Sequence, residues 1–407
     1  MKSQNVDIHN AITAFSCALD LVGVDEVRHG KRVAVMARTV AEYLKWSDAE
    51  CLSILYAGML HDCGVSKIHE HHLLTETLEW EGAEEHCIRG ANYLLNCHPL
   101  AYLAADIRYH HYRWETLLGL PLDDYRRLRA NLLFLVDRVD VLQAPFLNNG
   151  RILVEFPAII SRIESLSGSL FAPKLVEAFA QVAKIEAFWL AMEPEYLDED
   201  LRRIGDASPT VLLDIYEVKE LARLFSRAVD AKSPCTDAHS QRVARIARAL
   251  AADFGVTGLE LEQIEIAGLL HDIGKLRVSE DIIEKPGSLT ADERATMHRH
   301  SYDTFRILRR VFDGSKIPQW AGAHHETLRG DGYPFQSERQ DLDLECRILA
   351  VADIFQALAQ ERPYRHTMNL DYIINDLWLR VADGCLDQKV VAKLTDKSEI
   401  FYRLALE

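Results

Sequence analysis

At 407 residues the chain is long enough for two domains, each with a sizeable core. Its formal charge of −16 argues against a protein that coats a nucleic-acid polymer, yet leaves room for a small anionic ligand held by local positive charge. No apolar run reaches the length of a membrane span, and the polar start MKSQNVDIHN carries no signal-peptide pattern. The expectation is therefore a soluble, cytoplasmic protein without a membrane partner. Its eight scattered cysteines form no C-x-x-C pair and read as reduced thiols.

Apolar residues recur at helical spacing along most of the chain, which predicts an all-α fold. His29 opens HGKRVA and leads into the helical pattern RVAVMARTVAEYL from Arg32. The stretch AGMLHDCG, Ala57 to Gly64, runs an apolar helix straight into the pair His61-Asp62. His86, the doublet His110-His111, and Asp137 at the end of LFLVD follow. Another helical pattern, LVEAFAQVAKIEAFWLAM, starts at Leu175. The charged stretch LDEDLRRIGDASPT, Leu197 to Thr210, ends in a Ser-Pro turn signal. It marks the expected boundary between domains over 1–205 and 206–407.

Beyond that point the pattern begins again. HSQRVA carries His239 into the helix RVARIARALAADF, and AGLLHDIG, Ala267 to Gly274, carries His271-Asp272. His300, the doublet His324-His325, and Asp353 at the end of LAVAD come next, before a last helical pattern DYIINDLWLRVA from Asp371. His29 and His61 recur 210 positions on, His86 and His110 recur 214 on, and Asp137 recurs 216 on. One His-Asp pair is easily structural; the whole set repeating in order is an internal duplication.

Each copy offers imidazoles and carboxylates, ligands suited to Fe, Mn, Zn or Ni. The set is too large for one four-coordinate ion and suits two ions with open positions. An aspartate beside a ligand histidine can bridge ions about 3.5–4 Å apart, a pair that clamps a phosphate. Such ions also explain why an apolar helix buries charged groups. In the second copy Lys275 follows on the same side of the turn, where an ammonium suits a phosphate oxygen. ETLRGDGYP, ending at Pro334, reads as a tight loop near the doublet, and RPYR, Arg362 to Arg365, places two arginines after Asp353. Taken alone, the lysine reads as a surface residue and the arginines as a helix-end charge cluster.

HSQRVA, LLHDIGK, the second histidine of MHRHS, HHETLRGDGYP, VADIFQAL and RPYR occur in this order across roughly residues 235–370. In them the second half resembles the HD-GYP phosphodiesterases, a branch of the HD-domain metal-dependent phosphohydrolases. The resemblance implies two tandem HD-type helical domains, with the second acting as a hydrolase on a cyclic dinucleotide to give a linear one. It implies one metal on His239, His271 and Asp353, another on His300, His324 and His325, and Asp272 bridging them around a hydroxide. Iron or manganese is the expected metal, with nickel, zinc or cobalt as alternatives. Lys275, Arg362 and Arg365 would contact phosphate, and Tyr333 would line the substrate loop.

The pattern departs from the family at two places. Cys235 stands where three-metal members have glutamate, which favours two metals. Arg329 stands where the loop usually has an acidic residue or asparagine, so the substrate can differ from cyclic di-GMP. The first half resembles a degenerate copy with a possible metal site at His29, His61, Asp62, His86, His110, His111 and Asp137. Val65 replaces the lysine, Gly119-Leu120-Pro121 replaces the GYP loop, and no RPYR follows. A structural or regulatory role is expected for it. Tandem chains of this build are also similar to bacterial 3′3′-cGAMP phosphodiesterases. A catalytically silent cyclic-dinucleotide sensor or scaffold is the competing reading, and a homodimer is compatible with either.

Overall fold

The computed structural model describes residues 6–22, 28–65, 70, 74, 82–147, 149–232, 238–360 and 368–407. The strands among these are the two-residue stretches Val6–Asp7 and Leu212–Leu213, so the fold is all-α. Two compact units divide the chain: one is Asp7–Val211, the other Leu212–Glu407 together with Met1–Val6. No helix of the described residues is long and apolar enough to cross a membrane.

The duplication seen in sequence is a duplication of helices. The first unit runs through Ile8–Leu19, His29–Tyr43, Asp48–Leu60, Ala83–Leu95, Ala104–Tyr109 and Asp124–Leu147. The second unit repeats the series as Ile215–Asp230, His239–Asp253, Gly258–Leu270, Ala291–Val311, Ile317–Gly322 and Leu344–Ala359. Each unit then adds helices of its own. Pro173–Ala183 and Pro194–Ala207 belong to the first; Leu370–Ala382 and Ser398–Leu406 belong to the second.

Local sequence explains the boundaries. Ser47 and Glu50 form a reciprocal capping box at the start of the Asp48–Leu60 helix, and Thr290 with Glu293 does the same for Ala291–Val311. The pattern from Leu175 is not one continuous helix. It breaks after Ala183, where Ile185 is extended and the Trp189 indole donates to the Ala183 carbonyl at 2.7 Å, satisfying a helix-end acceptor. The charged stretch 197–210 is helical as far as Ala207 and buries Leu197 and Leu201.

The alanines and glycines of the repeated AG-x-L-HD motif have a packing reason. In the first unit a Cβ on Gly58 would lie 2.6 Å from the Ala34 Cα; in the second, a Cβ on Gly268 would lie 2.7 Å from the Ala244 Cα. The helix carrying the His-Asp pair therefore crosses the helix carrying the first histidine nearly backbone to backbone. Around this crossing Val33, Ala37 and Val40, or Val243, Ala247 and Leu250, are buried. Each buried Val or Leu side chain contributes roughly 1.5–3 kcal/mol.

Candidate metal centre

In both units the first histidine sits at the first position of its helix, directly after a residue in the left-handed region: Arg28 at φ 87° and Ala238 at φ 60°. That conformation costs roughly 1–2 kcal/mol for a residue with a Cβ. It is held by a buried aspartate from the preceding helix. Asp20 accepts the Gly30 N–H at 3.2 Å, and Asp230 accepts the Ser240 N–H at 3.1 Å and its hydroxyl at 2.7 Å. The turn aims each histidine inward at the His-Asp pair.

In the second unit the ring nitrogens converge on one carboxylate. Asp272 Oδ2 lies 3.4 Å from His271 Nε2 and 3.6 Å from His239 Nε2. Its other oxygen, Oδ1, lies 3.4 Å from His300 Nε2 and 3.7 Å from His324 Nε2. Asp353 Oδ1 closes the first group at 3.3 Å from His239 and 3.7 Å from His271. His325 joins His300 and His324 in the second. Seven side chains thus form two triads that share Asp272 between them.

In four of the five histidines the other ring nitrogen is tied to the protein, which fixes Nε2 as the ligand atom. His271, His300 and His324 place Nδ1 at 2.8, 2.5 and 2.6 Å from the carbonyls of Gly268, Met297 and Ala321. His239 Nδ1 meets the Gln356 side-chain oxygen. His271 Nε2 and Asp272 Oδ1 are buried without a hydrogen-bond partner, an arrangement that a bound cation would resolve. Donor chemistry, convergence and orphaned atoms all fit divalent ions, which His239, His271 and Asp353 could hold on one side and His300, His324 and His325 on the other.

Electrostatics agree. Burial pushes His300 down to about 3 and His325 to about 4, leaving neutral imidazoles ready to ligate. Burial also opposes protonation of His271, yet the Asp272 and Asp353 carboxylates lift it to about 10. Burial raises Asp272 too, but His271 and Lys275 overcome this and hold the carboxyl well below its usual range. The two carboxylates therefore demand positive charge in this pocket.

Lys275 sits in a 3-10 turn, Ile273–Arg277, with Nζ 2.6 Å from Asp272 Oδ2. Tyr333 lies over the second triad, its ring 4.8 Å from that of His325 and stacked at 3.7 Å on His298. Burial, then the Asp353 and Asp272 charges, push its phenol upward, so it stays a hydroxyl donor. The loop that carries it is pinned by buried Glu326, which accepts the Phe335 and Ser337 N–H groups beyond the tyrosine at 2.7 and 3.0 Å. Arg329 is exposed and bonded to Asp331 and the Asp383 carbonyl. Arg362, Arg365 and Cys235 lie outside the described residues.

The first unit repeats the geometry. Asp62 Oδ2 lies 3.2 Å from His61 Nε2 and 3.7 Å from His29; Oδ1 lies 3.5 Å from His86 and 3.8 Å from His110. Asp137 Oδ1 lies 3.3 Å from His29, and its Oδ2 lies 3.7 Å from His111. The surroundings differ. A buried guanidinium, Arg138, binds Asp137 at 2.7 Å. His29 Nδ1 meets a carboxylate, Asp140, at 2.7 Å, and Arg32 grips the same carboxylate. Phe134, from the helix that carries Asp137, packs edge-on 5.2 Å from His111.

Several supporting residues carry a sequence signal that the ligand pattern alone does not use. Gln356 and Asp140 share the 216 offset of the last aspartates, and Asp20 and Asp230 share the 210 offset of the first histidines, so extending the repeat would have found them. Arg138, which faces Asp137 where the other copy has Ile354, and His298 carry no such signal.

Comparison with known proteins places this architecture. Residues 27–144 match the HD domain family, and residues 223–390 match an HD domain family a second time. The chain is 38% identical over 418 residues to 3′3′-cGAMP-specific phosphodiesterase 1 of Vibrio cholerae, covering 100% of this chain and 96% of that one. It is 36% identical over 171 residues to the cyclic di-GMP phosphodiesterase response regulator RpfG of Xanthomonas campestris, covering 40% of this chain and 44% of the other. The fold matches a crystal structure of a cyclic GMP-AMP phosphodiesterase of V. cholerae, V-cGAP3, with a TM-score of 0.65 at 24% identity over 96% of this chain and 97% of that one. With two HD domains and full-length likeness to such an enzyme, the chain belongs to the HD-domain phosphodiesterases, a family of metal-dependent hydrolases.

Proposed function

We propose that the second unit hydrolyses a cyclic dinucleotide to its linear form, with 3′3′-cGAMP as the preferred substrate, and that the first unit is structural or regulatory. The observation that carries this reading is Asp272. Its two oxygens address two separate ligand triads, as a carboxylate shared by two ions requires. Full-length likeness to a 3′3′-cGAMP-specific enzyme supports the substrate.

His239, His271 and Asp353 would hold one ion and His300, His324 and His325 the other, iron or manganese by the nitrogen and oxygen donor set. Two such ions, when bound, supply Lewis acidity and an activated water for attack at phosphorus. The chain's own groups do the rest. Lys275, released from Asp272, meets a non-bridging phosphate oxygen with its ammonium. The Tyr333 phenol donates a hydrogen bond from the loop side, and its ring, backed by His298, offers a flat apolar face to a base. Arg362 and Arg365 would grip the second phosphate.

Turnover of 3′3′-cGAMP, cyclic di-GMP and cyclic di-AMP by the full chain with Mn²⁺ or Fe²⁺, with metal analysis of the same sample, tests the reading. A linear dinucleotide appearing fastest from 3′3′-cGAMP is expected. Unchanged substrates alongside tight binding would make the protein a sensor instead.

A further inference from the structure

The two copies differ at one position inside the triad that holds His86 in the first unit and His300 in the second. The residue after His300 is Ser301, whose hydroxyl lies 3.2 Å from His300 Nε2. The residue after His86 is Cys87. Its sulfur is buried, 3.7 Å from His86 Nε2 and 4.0 Å from His110 Nε2, and it groups with His86, His110 and His111 as a cluster able to hold one ion. The second unit's triads contain nitrogen and oxygen alone.

We propose that this pocket of the first unit is a zinc-class site, with Cys87 as a thiolate ligand beside His86, His110 and His111. Geometry supports it. Tetrahedral zinc with Zn–N of about 2.05 Å and Zn–S of about 2.3 Å separates two nitrogens by about 3.3 Å and nitrogen from sulfur by about 3.6 Å. The His86 and His110 Nε2 atoms are 3.3 Å apart, and the sulfur stands within a few tenths of an ångström of its expected distances. An independent observation points to a cation at the same place. Asp62 Oδ1, facing His86 and His110, is buried without a hydrogen-bond partner. Softness supplies the selectivity, because a thiolate favours zinc over the harder ions that suit the second unit. Ligation requires loss of the thiol proton, which now points to the Ala83 carbonyl at 3.2 Å; the sulfur–hydrogen bond is exchanged for a sulfur–metal bond, and the proton leaves to solvent.

Cobalt(II) loading of the full chain tests the proposal by spectroscopy, without reference to activity. A thiolate-to-cobalt charge-transfer band in the near ultraviolet is expected. It should survive in Asp272→Ala, which dismantles the other centre, and in Cys235→Ser, and vanish in Cys87→Ser, which copies the second unit's own residue. Absence of the band with cobalt bound, or its persistence in Cys87→Ser, would overturn the assignment. X-ray absorption at the zinc edge of the unaltered chain answers the same question without a variant. One sulfur scatterer at about 2.3 Å is expected, and a shell of nitrogen and oxygen alone would refute it.

Discussion

The two units are one design built twice and finished differently. Both set four imidazoles around a central aspartate, start the first histidine's helix from a left-handed residue, and cross the same two helices at a glycine. Among the described residues, only the second places an ammonium on the central carboxylate and a tyrosine over the doublet. The first has Val65 at the lysine's position and packs Phe134, from the helix that carries Asp137, against its doublet, and it neutralises Asp137 with Arg138. Gathering ligands and gripping a substrate are thus separable tasks. On the proposed function, the scaffold does the first and a few side chains on its rim do the second.

The sharpest way to break this comparison is to remove the central aspartate from each copy in turn. Asp272→Ala should abolish turnover and lower the metal content. Its effect should exceed the roughly 10–100-fold loss typical of a partner that merely supports a ligand. Asp62→Ala should leave turnover within about a factor of two, as for energetically independent sites. Complete loss in Asp62→Ala with an intact fold would show that the first unit takes part in the chemistry.

Next come the glycines after the pair. A Cβ on Gly64 or on Gly274 would lie 2.0 Å from the carbonyl oxygen of His86 or His300 respectively. Either alanine variant should lose about 3 kcal/mol of stability, the upper end for overpacking, read as a lower melting temperature. Gly274→Ala should also displace His300 and depress turnover of the surviving fold, whereas Gly64→Ala should not.

A smaller effect is expected from the groups behind the first histidines. Gln356→Ala should weaken metal binding by the second unit about 10–100-fold by releasing His239 Nδ1, measured by metal titration. The smallest difference concerns the helix that carries the pair. Ser47 caps it in the first unit, and Thr257, at the same place in the second, makes no side-chain cap. Ser47→Ala should cost about 1 kcal/mol in a denaturant melt; Thr257→Ala should cost a small fraction of that.

Much of this was legible in one dimension. Helical periodicity set the fold class, and the repeated offsets picked out the histidines and aspartates of both aspartate-centred clusters, because a duplicated scaffold keeps its inward-facing residues at matched positions while loops absorb the insertions. What opposes those side chains was not legible. Arg138 follows Asp137 in the chain, but nothing in its identity says that it turns back onto that carboxylate. His298 reads like any helical histidine until Tyr333 stacks on it from 35 residues away.

The sequence by itself therefore determined which residues could ligate and in what order, since ligand type and spacing are properties of the chain. Tertiary structure alone decided that Asp272 divides its two oxygens between separate triads, and that a sulfur in one copy replaces a hydroxyl in the other within reach of the same imidazoles. Those facts depend on distances between helices far apart in the chain. Such distances are set by how closely the helices pack and not by any local pattern of residues.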